Sequence, residues 1–192
     1  MSDPIEQAVK EVAAVLDSLH IRYVIVGSVA LFAHGIYRAT ADADVLAEMA
    51  PSQAASLSAL LGKNWYADVP MIERSLRDRR SFNLIHIPTA QKVDLFPATT
   101  NFHRLQVDRA RIVPAFGESG SPPLPVLSAE DVVLSKLQWF RSGGEVSERQ
   151  WSDIVGLLTV NQELDWDYLN CWAPQLNVED LLRKARAESQ EE

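Results

Sequence analysis

Cysteine, long apolar runs and basic residues are all scarce in this 192-residue chain. A single cysteine, Cys171, excludes an intramolecular disulfide and a cysteine-based zinc site, and points to a reducing compartment. No apolar run approaches the roughly 20 residues of a membrane-spanning helix, and the opening residues, MSDPIEQAVK, lack the basic and apolar regions of a secretory leader. The expectation is a soluble, cytoplasmic protein without a membrane partner. Lys and Arg number 18 against 26 Asp and Glu, for a formal net charge of -8. Non-specific adhesion to nucleic acid needs a cationic contact surface, so this balance opposes it while leaving room for a local basic patch. The four histidines, His20, His34, His86 and His103, show no zinc-like spacing. Otherwise the composition, 47% hydrophobic and 23% charged, is that of an ordinary globular chain long enough to bury a core.

The pattern alternates between helix and strand. Residues 3–20 carry Ile5, Ala8, Val9, Val12, Leu16 and Leu19 at three- and four-residue steps, a helix with Pro4 in its first turn. Tyr23–Val26 is a short, apolar, β-branched strand. Ser28–His34 fits a two-turn helix stopped by Gly35, Ala41–Leu46 a strand, and Pro51–Leu61 a helix ended by Gly62. Residues 70–80 are more weakly patterned and basic, with Arg74, Arg77, Arg79 and Arg80. Phe82–Ile87 and Lys92–Phe96 form two strands around a turn, and Ala110–Val113 adds a last one. The Gly-, Ser- and Pro-rich segment 117–125 is expected to be a linker. Beyond it, Ser128 with Asp131 and Ser147 with Gln150 resemble capping boxes that open two helices. Two more helices follow, around Trp166–Trp172 and from Asn177 to about Ala187, before an acidic end, AESQEE. The fold class is α/β, a mixed sheet packed by helices over residues 1–116 followed by a helical region over 126–192.

The chain is organised around residues 23–46, YVIVGSVALFAHGIYRATADADVL. Strand side chains alternate faces, so Asp42 and Asp44 project from one side with Cα atoms roughly 6.5 Å apart. That spacing suits two carboxylates holding a pair of magnesium ions about 3.5–4 Å apart. Asp94, in the apolar setting KVDLF, would complete the set from a neighbouring strand. Magnesium prefers carboxylate and phosphate oxygens and keeps several waters, so few protein ligands are needed. Gly27 lets phosphates approach the backbone, and Ser28 opens a helix whose first amides lack partners. Singly, a Gly-Ser pair is an N-capped turn and an Asp-x-Asp a solvated edge. Two aspartates in a strand flanked by Val, Leu and Ala are costly to bury unless paired or metal-bound.

VGSVALFAHG followed by RATADADV resembles the glycine-serine and Asp-x-Asp motifs of the DNA polymerase beta-like nucleotidyltransferase superfamily. The later segment LSAEDVVLSKLQWFRSGGEVSERQWSDIVGLL resembles the AbiEii-type branch, known for the toxin halves of bacterial toxin–antitoxin pairs. The resemblance covers nearly the whole chain. It implies transfer of a nucleoside monophosphate from an NTP to an acceptor hydroxyl on tRNA, protein or a small molecule. It further implies Mg2+ or Mn2+ held by Asp42, Asp44 and Asp94; a rival reading keeps this chemistry but makes the chain a toxin with a protein antitoxin as partner. Asp42 and Asp44 would hold the metals that carry the triphosphate, Asp94 would help activate the acceptor, and Gly27, Ser28 and Lys136 would grip phosphates. One departure is Ala43, where the superfamily has a larger aliphatic residue; it would point to the core side and removes no ligand.

Other residues keep two readings. Arg38 either reaches a phosphate or the third aspartate, or is a surface arginine. Lys136, amid Leu134 and Leu137, binds phosphate or snorkels to the surface. Asp153 either touches substrate or pairs with Arg141 or Arg149. Trp139, Trp151, Trp166 and Trp172 are read as core and interface packing, and His34 as structural. The arginines of 74–80 form a solvated helix face or a dock for a polyanion such as tRNA. The rival to an enzyme is a non-catalytic nucleotide-sensing or partner-binding module. Against it stand the three carboxylates, which repel a triphosphate unless a cation is present.

Overall fold

The computed structural model describes residues 4–38, 40–117 and 123–190. Helix α1 (Pro4–Ser18) buries Ile5, Ala8, Val9, Val12, Ala13 and Leu16 along one stripe. Strand β1 (Tyr23–Val26) runs straight into α2 (Gly27–Ala33), and β2 (Asp42–Ala47) returns antiparallel to β1. A 3-10 turn at Pro51–Gln53 leads into α3 (Ala54–Leu61), which stops where Gly62 turns to φ +71°. There follow β3 (Trp65–Tyr66), α4 (Val69–Arg77), β4 (Phe82–His86), β5 (Gln91–Pro97), α5 (Asn101–Asp108), β6 (Arg111–Val113) and β7 (Leu124–Val126). Helices α6 (Ala129–Ser142), α7 (Glu148–Val160), α8 (Trp166–Gln175) and α9 (Glu179–Glu188) complete the described chain.

The strands form one mixed sheet in the order β3-β4-β5-β2-β1-β7-β6. The β2–β5 and β1–β7 pairs are parallel and the other pairs antiparallel. The fold class is therefore α/β, a mixed sheet packed by helices, as the patterning predicts. Strand alternation divides the sheet in two. Ala43, Val45, Val93, Leu95, Phe82 and Leu84 are buried on one face, and α1 packs against β5 and β2. Asp42, Asp44, Lys92, Asp94 and Asn83 alternate with them onto the other. Ala43 thus does point to the core, at 1% exposure.

Three elements depart from the sequence reading. β3 is only two residues long, too short to show a period. α5 presents a mixed pattern, NFHRLQVD, whose clearest signal is Thr100, which accepts the His103 amide at 3.0 Å as an N-cap. β7 lies within the expected linker: Leu124 and Pro125 pair with Val113 and Ile112, while 118–122 lie outside the described residues. Pro125 disguises the strand, but Pro is tolerated where the ladder does not need its missing donor. The helix expected over 3–20 runs from Pro4, Asp3 lying outside the described residues, as do the last two residues of the acidic end.

The helical region is tied to the end of α5 by a buried polar cluster at the start of α6. Ser128 Oγ accepts the Asp131 amide at 3.2 Å and donates to Asp131 Oδ2 at 3.0 Å. Tyr168 donates to Asp131 Oδ1 at 2.6 Å, and Arg109 stacks 3.7 Å over the Tyr168 ring with Nε 3.5 Å from Asp131 Oδ2. Asp131 is fully buried. Burial pushes its carboxyl up, and the Tyr168 and Ser128 hydroxyls and the Arg109 charge act in the opposite direction. The cluster joins the end of α5, α6 and α8. Tyr168→Phe removes one donor to a buried carboxylate, and urea denaturation is expected to show a loss of about 2 kcal/mol.

Candidate active site

The register across β2 and β5 aligns Asp42 with Lys92 and Asp44 with Asp94, so all four side chains share one face. Asn83, opposite Asp94 on β4, extends the row. Lys92 Nζ lies 2.8 Å from Asp94 Oδ2 and 3.7 Å from Asp42 Oδ2. The hydrogen bond to Asp94 holds the ammonium above its ordinary pKa. Among the described residues no ion pair reaches Asp44. Burial, and then the like charges of Asp42 and Asp94, raise the Asp44 carboxyl to about 6, while Lys92 and Lys136 pull it down.

Gly27 is required at its position on two independent grounds. Its φ is +63°, and a Cβ there would overlap Asp44 Oδ2 and stand 2.9 Å from Asp44 Cγ. β1 and β2 pair Val26 with Asp44, so the chain turns into α2 directly over the carboxylate. The α2 N-cap is Val26, which offers no side-chain acceptor to the first amides.

Asp44 opens onto a cavity of about 390 Å³. Gly27, Ser28 and Asp44 line it from the sheet side, joined by Leu46 and Phe96; α6 supplies Val132, Ser135, Lys136 and Trp139, one face of the helix at three- and four-residue steps. His103 and Gln106 of α5 add a polar wall, with Gln106 donating to Ser135 at 2.7 Å. A larger but shallower depression of about 510 Å³ lies near Asp17, His20, Arg22 and Ile112, and none of the three aspartates lines it. The geometry brings Gly27, Ser28, Asp44 and Lys136 together at one cavity, with Asp42 and Asp94 beside Asp44 on the strand face. Arg38 does not line it; its guanidinium is paired with Asp153, which also accepts from Lys136 at 2.9 Å.

No protein-family model and no functionally curated protein matches the sequence. Solved structures do match over nearly the whole chain. The solution structure of the antibiotic-resistance factor ANT(2'')-Ia aligns with TM-score 0.51 and 13% identity, covering 97% of this chain and 94% of its own. A crystal structure of ANT(2'')-Ia in complex with adenylyl-2''-tobramycin aligns with TM-score 0.55 and 11% identity, over 90% and 96% of the two chains. An antigenic nucleotidyltransferase-like protein from Paracoccidioides brasiliensis gives 0.50 and 20%, over 97% and 93%. This chain has the nucleotidyltransferase fold.

Within that fold, several site residues escape a reading of the sequence. Asp153 pairs with Arg38 and Lys136 rather than with Arg141, which binds Asp180 at 2.6 Å and Glu145 at 3.0 Å. Trp139 is a correction to the packing role expected of it. It is 61% exposed, lies edge-on to Phe96 with ring centroids 6.4 Å apart, and lines the cavity. Its place three residues after Lys136 was the available signal. Lys92 was legible too, two residues before Asp94 in the same strand alternation. His103 and Gln106 were not, because α5 itself was not expected. His34 has a structural partner, donating from Nε2 to the Leu127 carbonyl at 2.6 Å.

The donor set on the carboxylate face is all oxygen, the kind preferred by hard divalent cations, and a raised buried acid is a group such a cation relieves. Among the described residues no three ligating side chains already converge on one point, and Lys92 stands between Asp42 and Asp94. Two outcomes follow for the metal-free protein. Gly27→Ala is expected to lose about 2–3 kcal/mol in urea denaturation, from left-handed strain and displacement of Asp44. Because the folded-state pKa of Asp44 is raised, its contribution to stability is full below pH 4 and is lost as pH rises through about 6. Asp44→Asn should therefore be more stable than wild type at pH 8 by about 2 kcal/mol, with the difference vanishing near pH 4.

Proposed function

We propose that this chain is a divalent-metal-dependent nucleotidyltransferase that moves a nucleoside monophosphate from an NTP to an acceptor hydroxyl, releasing pyrophosphate. The observation that carries the reading is the alignment of Asp42, Asp44 and Asp94 on one strand face, opening at Asp44 onto a cavity that Gly27, Ser28 and Lys136 also line. The fold it shares with ANT(2'')-Ia, a protein solved with adenylyl-2''-tobramycin, supports it.

Asp42, Asp44 and Asp94 are the residues that would hold Mg2+ or Mn2+. When bound, the cation supplies neutralisation of triphosphate charge and a lower pKa for a coordinated hydroxyl. The chain's own groups do the rest. Gly27 leaves the backbone open to a phosphate, and Ser28 adds a hydroxyl donor. Lys136, oriented by its bond to Asp153, presents an ammonium to the triphosphate. Arg38, held by the same carboxylate, backs that charge from outside the cavity. Trp139 and Phe96 offer aromatic faces on which a planar ring can pack, and His103, Gln106 and Ser135 offer polar partners beside them. The acceptor belongs to one of three classes: tRNA, protein or small molecule. Exposed Arg74 and Arg77 on α4, with side chains 83% and 59% accessible, are the basic groups a polyanionic acceptor would meet. A toxin role with a protein antitoxin rests on the resemblance of residues 127–158 to the AbiEii type; growth arrest on expression without a partner tests it.

A second reading, a nucleotide-sensing module without turnover, is favoured by one feature: Lys136 and Arg38 share the Asp153 carboxylate, which offsets one of their two positive charges. Calorimetric titration of each NTP, with and without magnesium, on wild type and Asp44→Asn separates the readings when joined to a pyrophosphate-release assay. Expected are magnesium-dependent binding, its loss of at least tenfold in Asp44→Asn, and pyrophosphate release in the presence of acceptor. Binding that ignores both magnesium and Asp44 overturns the catalytic reading. Trp139→Ala should weaken NTP binding about fivefold without changing the magnesium dependence; unchanged affinity removes the indole from the nucleotide site.

A further inference from the structure

Among the described residues Lys92 is the one cation inside the carboxylate row, and the proposed transfer chemistry gives it no task. Its side chain is 38% exposed, so nothing forces it inward by lack of space. Register places it beside Asp42 on the neighbouring strand, and alternation places it on the same face as Asp94 two residues further along its own strand. The ammonium turns toward both, at 2.8 Å from Asp94 Oδ2 and 3.7 Å from Asp42 Oδ2, instead of extending into solvent.

We propose that Lys92 is the resident counter-cation of the carboxylate face, so that the free chain takes up one divalent ion rather than two. The inference rests on the metal-binding reading of Asp42, Asp44 and Asp94. The charge balance supports it. Three ionised carboxylates with one ammonium leave two negative charges, which a single divalent ion neutralises. A second such ion would bring two more positive charges against an ammonium already seated between Asp42 and Asp94, and like charges at that range oppose it. The asymmetry of the partners supports it as well: Lys92 pairs with Asp94 and Asp42, while among the described residues no ion pair reaches Asp44. The ion's place is accordingly on the Asp44 side, and the Asp94 side is held by the protein's own cation. An exposed salt bridge without this role would be worth little and would leave metal uptake unaffected.

Binding of Mn2+ alone to the full chain, followed by the electron paramagnetic resonance signal of the free ion, tests this without reference to activity. Expected for wild type is one Mn2+ per chain, abolished in Asp44→Asn. Lys92→Gln is expected either to gain a second Mn2+ or to bind the first at least fivefold more tightly, and Lys92→Arg to follow wild type. Melting curves establish that each variant is folded, and Lys92→Met is read in the same way should Lys92→Gln not fold. Two Mn2+ on wild type, or a Lys92→Gln isotherm that coincides with or falls below a wild-type isotherm of one ion, overturns the role of Lys92 and leaves the metal reading standing. Absence of Mn2+ uptake by every folded chain overturns the metal reading, and this inference with it.

Discussion

A carboxylate held against a protein core in the company of two others is an arrangement that folding resists. Asp44 occupies that position, and the organisation of the site follows from it. Burial and like charge lift its carboxyl to about 6, so the folded chain carries a group whose ionised form is less favourable than that of an exposed aspartate. Such a group persists only where the surrounding structure over-determines it. Here the core-facing half of the same strands does so: Ala43, Val45, Val93 and Leu95 are all but inaccessible to solvent, and burying them fixes which way the aspartates point.

Three neighbours accommodate the charge, each by different physics. Gly27 yields space, since any side chain there would overlap the Asp44 carboxylate, and it supplies the left-handed turn that starts α2. Lys92 yields charge, bridging Asp42 and Asp94 from the adjacent strand. Lys136 acts from across the cavity through its field, which lowers the Asp44 pKa. The first two are set by the sheet. The third depends on α6, whose position is fixed by the buried Asp131, Tyr168 and Arg109 cluster and by its packing on α7 and α2.

The cavity between these parts is mixed in character. Asp44 and Lys136 give it charge of both signs, and Phe96, Trp139, Gln106 and Gln138 give it aromatic and amide surface. A ligand that combines negative charge with a planar ring suits such a lining. The overall charge of -8 does not conflict with this, because the cations that matter are few and locally placed.

Much of this was legible from the residues in order. Period-2 alternation in DADVLA and KVDLF puts Asp42, Asp44 and Asp94 each on a polar side of its strand, and Gly27-Ser28 between a strand and a helix marks a turn of special geometry. These are local properties, carried by backbone periodicity and by the conformational freedom of single residues, and they survive without knowledge of the partner elements. What the sequence left open is long-range. That β2 and β5 are adjacent and in the register Asp44 to Asp94 depends on strand order, which local pattern does not encode. That Asp153 gathers Arg38 and Lys136, instead of Arg141 or Arg149, depends on how α7 packs beside α6. Trp139 is apolar and at helical spacing, so composition assigns it to the core, and only the tertiary packing leaves it at the cavity wall. Which strand residues face inward was determined by the sequence; which of them meet was decided by packing across loops, because a contact between segments distant in the chain is a property of the assembled core and not of either segment alone.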